Sequence, residues 1–156
     1  MKANVLTKEE LLNHWQEHRN LTRKVIEKFP EHELFHHTIG NMRTFSDMVK
    51  EMLSLAQPGL EGIVFNKIEK YNHDLPLHTK ADLLKAWDDA TPKITELFNK
   101  ITENRFKEDF NLFGEYNFPI INNILYFIDN EIHHRAQGYV YLRSLNIEPP
   151  FFWDRL

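Results

Sequence analysis

The chain has no cysteine, and only five of its 156 residues are glycine. Without thiols there is no disulfide, no thiolate metal site and no cysteine nucleophile. The glycines are scattered, apart from Gly59 and Gly62, so no Gly-rich phosphate loop exists, and no Gly-x-Ser-x-Gly nucleophile elbow either. No window holds the ~18–20 consecutive apolar residues of a membrane helix. Met1-Lys2-Ala3-Asn4-Val5 lacks the apolar stretch of a secretory leader. Basic charge is not in excess: 19 Lys and Arg stand among 23 Asp and Glu, for a net charge of −4. Phosphate backbones draw on clustered cations, so nucleic acid is not an expected partner. A cytoplasmic protein away from membranes is the expectation.

Hydrophobic residues make up 42% of the chain and charged ones 27%, enough for one domain over residues 1–156 with a real core. Strand-like alternation is scarce, so helices should dominate. Thr7-Lys8-Glu9-Glu10 reads as a capping box, and Leu11, Leu12, Trp15, Leu21, Val25 and Ile26 follow at helical spacing until Pro30. A polar connector containing His32, His36 and His37 leads to a second helix from about Met42 to Ala56, ended by Pro58-Gly59. A long connection follows. Thr79 opens a third helix through Leu83, Trp87, Ile94 and Phe98, with Pro92 as a kink or a restart. An irregular Phe-rich stretch reaches Phe118, and Pro119 is placed to begin a last helix ending near Leu145. The Phe151-Phe152-Trp153 tail is expected to fold back onto the helices. The pattern predicts an all-α four-helix bundle.

The last helix carries the chemistry. At 100° per residue, Ile121, Ile124, Leu125, Ile128, Ile132, Tyr139 and Leu142 share one arc, while Asn123, Asn130, His134, Gln137 and Tyr141 line up beside it. His133 points about 100° away from His134, so the two do not chelate together. The stripe suits a polar pocket, or the solvated edge of an amphipathic helix.

These residues resemble a family. Asn130, His134-Arg135-Ala136-Gln137, Tyr139-Val140-Tyr141-Leu142-Arg143 and Glu148-Pro149-Pro150 are similar to the closing segment of DinB-like proteins, usually H-x-x-x-H-R-G-Q before a Pro-Pro tail. Arg43-Thr44-Phe45-Ser46-Asp47-Met48-Val49-Lys50-Glu51-Met52-Leu53 looks like that family's R-T-L-G-E-L-L-x-H-I segment. The resemblance implies an up-down-down-up bundle, often a homodimer. It also implies a divalent metal held by three histidines, in proteins that include thiol transferases and hydrolases called metal-dependent. The family name refers to damage-inducible expression and not to an activity on DNA. Carried over by position, the metal trio becomes Glu51, Asn130 and His134, so only one imidazole remains. Asn is a poor ligand for zinc or nickel, and the trio is expected to hold such an ion weakly or not at all. Two functions follow: a DinB-like protein whose polar pocket holds a small ligand through Gln137, Tyr141 and Arg43, or a divalent-metal-dependent hydrolase or thiol transferase acting on a small molecule.

Other constellations carry less. His14-Trp15-Gln16-Glu17-His18 fits H-x-x-E-H, but His18 lies within the first helix's apolar stripe. His73 and His78 read as loop residues. Arg43 and Arg135 are each placed either to anchor an anion at the pocket mouth or to pair with Asp47, Glu51 or Glu131.

Overall fold

Thr7 starts the first helix with the predicted capping box. Its hydroxyl accepts from the Glu10 amide at 3.1 Å, and the Glu10 carboxylate accepts from the Thr7 amide at 2.7 Å. The computed structural model describes residues 4–156; Met1, Lys2 and Ala3, read above for a leader, lie outside the described residues. The helices are α1 (Lys8–Lys28), α2 (Glu31–His36), α3 (Phe45–Phe65), α4 (Lys80–Lys100) and α5 (Ile120–Ser144). A short 3-10 turn at Glu103–Lys107 precedes a hairpin of β1 (Asp109–Leu112) and β2 (Tyr116–Pro119), paired antiparallel with Phe110 opposite Phe118. Among the described residues no helix is long and apolar enough to cross a membrane.

Helix directions follow from side-chain contacts. Lys8 at the start of α1 bonds the carbonyls of Asn99 and Ile101 at the end of α4, and Lys80 at the start of α4 bonds those of Glu27 and Phe29. Those two helices are antiparallel. Trp15 meets Phe127, and Thr22 meets Glu131 and Arg135, so α1 and α5 run the same way. Phe127 covers Gly59 while Phe45 covers Gly138, so α3 opposes α5. The four long helices therefore run up, down, down, up, and α1 and α3 each pack against both α4 and α5.

That course explains the long connection. Helices α3 and α4 point the same way, so the chain must return along the length of a 21-residue helix. Such a helix is ~31 Å long at 1.5 Å per residue, too far for a tight turn. Residues 66–79 make the return and pass over the α3/α5 seam.

Several local expectations need correcting. The polar connector contains a one-and-a-half-turn helix, α2, which buries Leu34. Pro58-Gly59 does not end α3. Proline there forfeits one backbone hydrogen bond, but Leu60 and Ile63 beyond it are fully buried, and their packing carries the helix to Phe65. Pro92 likewise sits inside an unbroken α4. The Phe-rich stretch forms the hairpin, with Phe110 and Leu112 turned into the core and left-handed Phe113 and Gly114 making its turn. Pro119 caps α5 from just outside it. The tail follows α1 with its polar groups inward: Lys24 bonds the Asp154 and Leu156 carbonyls, while Phe151, Phe152 and Trp153 stay 63%, 70% and 64% exposed.

Candidate functional site

Two glycines set how closely α3 and α5 approach. A Cβ on Gly138 would stand 2.6 Å from the Phe45 ring, and one on Gly59 would strike the ring of Phe127. Each large ring thus lies against bare backbone at one end of the seam, and the helices come together between them. In that stretch α3 presents Glu51, and α5 presents Asn130 and His134 one turn apart.

The three positions form one hydrogen-bonded group. Glu51 Oε1 accepts from Asn130 Nδ2 at 2.8 Å and from His134 Nε2 at 3.0 Å. Glu51 Oε2 accepts from the Arg43 guanidinium at 2.6 Å. The His134 hydrogen bond, joined by those of Asn130 and Arg43, pulls the Glu51 carboxyl down to about 2, although burial opposes it. Further out, His134 Nδ1 meets the side-chain amide of Gln137 at 2.8 Å, and the Tyr141 hydroxyl donates to the Arg43 carbonyl at 2.5 Å. All six residues singled out from the sequence therefore belong to one network, Tyr141–Arg43–Glu51–His134–Gln137, with Glu51 at its centre and Asn130 branching from it. The stripe on α5 is not a solvated edge: Asn123, Asn130, His134 and Tyr141 are buried.

Beside Glu51 opens a cleft of about 180 Å³. Arg43 and Glu51 form its polar wall, and Tyr71, His73, Tyr116 and Tyr126 surround them. Leu55 and Leu112 supply the apolar part. Of the six predicted residues only Arg43 and Glu51 reach this cleft; Gln137 orients the imidazole from behind, and Tyr141 is spent on the backbone of Arg43. Tyr126, one turn before Asn130 on α5, was within reach of the helical-wheel reading. Tyr71 and His73 come from the crossover and Tyr116 from the hairpin, where no periodic signal exists. Tyr71 stacks on His73 at 5.3 Å and meets the edge of Phe113 at 5.4 Å. Burial, aided by the Glu51 charge, pushes the Tyr71 phenol up to about 12, so it remains a neutral donor.

The donor set decides what the group of three can do. An ionised carboxylate only accepts, so the His134 nitrogen facing it carries a hydrogen, and Asn130 faces it with its amino group. Neither offers a lone pair to the point they share. The Asn130 carbonyl oxygen turns away and is buried without a hydrogen-bond partner. Among the described residues no three His, Cys, Asp or Glu side chains converge on a point that could hold a metal ion.

Arg135, a second candidate for an anion at the mouth, lies on the opposite side of α5. It donates to the His18 carbonyl at 3.0 Å, to Thr22 Oγ1 at 3.2 Å and to His18 Nδ1 at 2.9 Å. Thr22 in turn donates to the buried Glu131 at 2.7 Å. His18 is thereby built into the α1/α5 contact, and His14 only touches its ring edge-on. His32 and His36 stack on the surface of α2, and His37 meets Ser144 at 2.8 Å.

The DinB family model matches residues 1–153. The chain belongs to the DinB family. The uncharacterized protein YjoA of Bacillus subtilis (strain 168) is 24% identical over 164 residues, covering 94% of this chain and 97% of the relative. A crystal structure of a DinB-like protein from Bacillus cereus ATCC 10987 superposes with a TM-score of 0.76 at 16% identity, over 93% of this chain and 97% of that one. The crystal structure of YjoA from Bacillus subtilis gives 0.71 at 19% identity, over 91% and 96%. At these identities the likeness speaks for the fold.

Proposed function

We propose that this DinB-family protein is a metal-independent small-molecule binder, with its ligand seated in the cleft beside Glu51. One observation carries the reading. The Glu51 carboxylate occupies the point where the other two positions converge, and it takes hydrogen bonds from Asn130, His134 and Arg43. A zinc or nickel ion would need a lone pair from His134 Nε2 and the oxygen of Asn130, with the Arg43 cation displaced from the carboxylate. That donor set does not fit a divalent metal. The alternative of a metal-dependent hydrolase or thiol transferase would require the whole group to rearrange.

In the metal-independent reading, Glu51 is a fixed anion that orients Arg43 and His134. The tyrosines shape the space into which the ligand fits. A homodimer is part of the proposal, and Phe151, Phe152 and Trp153 supply exposed apolar surface for it. A thermal-shift screen of small polar metabolites, with and without EDTA, tests the reading. Stabilisation that survives EDTA supports it; stabilisation that needs added metal contradicts it.

A further inference from the structure

The cleft has more hydrogen-bond donors than acceptors. Arg43 spends one nitrogen on Glu51 Oε2 and keeps the rest of its five-donor fork. Both oxygens of Glu51 are already engaged, Oε1 by two donors and Oε2 by one. The phenol hydroxyls of Tyr71 and Tyr116 have no partner among the described residues, and that of Tyr126 stands beside Asn130. The walls between these groups are flat: Tyr71 lies against His73, and Tyr116 and Tyr126 stand half-exposed at the rim. A cation entering here would compete with Arg43 for a carboxylate that is already neutralised. An acceptor-rich anion would find the free fork and the hydroxyls waiting.

We propose that the cleft binds a small planar monocarboxylate, its carboxylate on Arg43 and the tyrosine hydroxyls and its flat body between Tyr71 and Tyr126. The size agrees: about 180 Å³ is the room of about six waters at ~30 Å³ each, enough for one ring and a carboxylate. This inference rests on the metal-independent reading and adds the ligand's charge and shape. Glu51 then serves to hold Arg43 in place, and the Tyr141 hydroxyl fixes the backbone that carries it.

The test uses three isosteric probes on the full chain, each at about 10 mM: benzoate, neutral benzamide and cationic benzamidinium. Benzoate is expected to raise the unfolding midpoint by about 3–5 °C if its affinity is near millimolar, and the other two by far less. Titration followed by NMR should show at least about tenfold weaker benzoate binding for Arg43→Gln. Tyr116→Phe changes one atom at a half-exposed position, so the fold is secure, and about threefold weakening is expected there. A benzamidinium response larger than that of benzoate overturns the proposal. So does a silent benzoate titration, or unchanged affinity in both variants. All titrations are run with and without EDTA. A benzoate response that vanishes with EDTA defeats the metal-independent reading, whereas no response in either condition defeats the carboxylate inference alone.

Discussion

Glu51 Oε1 and His134 Nε2 stand 3.0 Å apart across the α3/α5 seam, and the hydrogen between them belongs to the imidazole. A metal would need the lone pair that this hydrogen covers. The contact also ties stability to pH. The folded-state pKa of Glu51 lies near 2, below its ordinary 4.5, so its contribution is present above about 4.5 and is lost as pH falls toward 2. Discounted for partial solvent screening, Glu51→Gln should cost on the order of 1–2 kcal/mol at pH 7. Urea denaturation of both proteins between pH 7 and pH 2 should show that difference closing below pH 4.5.

His18 should produce a second pH effect of different origin. Burial, then the charges of Arg135, His14 and Arg155, lower its pKa from 6.5 to about 4, so the fold favours the neutral ring. Its contribution is complete above pH 6.5 and is lost as pH falls from 6.5 to 4, worth about 1–2 kcal/mol after discounting. Glu17 and the buried Glu131 are the nearby acids, and burial pushes the Glu131 carboxyl up. An NMR titration of the imidazole resonances should place the His18 midpoint near 4, and Arg155→Ala should move it upward.

The seam glycines should not tolerate a methyl group. Phe45 stacks on Phe29 at 4.7 Å and is fully buried, so it cannot retreat from a Cβ at position 138. Gly138→Ala should therefore destabilise by about 1–3 kcal/mol despite the better helix propensity of alanine. Calorimetry checks this. Gly59→Ala should behave alike against Phe127.

Much of the bundle was legible because helices declare themselves by period and caps. Thr7 and Thr79 both open helices through their side chains. Trp15, Trp87 and Ile124 on the predicted stripes are buried. The failures lie where tertiary packing overrules local chemistry. Pro58 looks like a stop until Leu60 and Ile63 are seen in the core, and Leu125, on the predicted apolar arc, is 42% exposed. The site was half legible. Helical spacing gathers Asn130, His134, Gln137 and Tyr141, and the family resemblance adds Glu51. Tyr71, His73 and Tyr116 escaped because a crossover and a hairpin bring them to the cleft, and neither has a periodic signature.

The tail gives a sharp contrast. Phe152 and Trp153 are exposed, so Phe152→Ser with Trp153→Ser should change the monomer's stability by less than about 0.5 kcal/mol. If the tail joins two copies, the same double variant should run as a monomer in light scattering where the parent runs as a dimer.

The most direct measurement is a zinc titration by calorimetry of the parent beside the double variant Glu51→His with Asn130→His. Two imidazoles added opposite His134 should create a site that takes up about one zinc per chain, while the parent shows no stoichiometric binding. A parent protein that binds one zinc tightly, and loses it on His134→Ala, would contradict the metal-independent account.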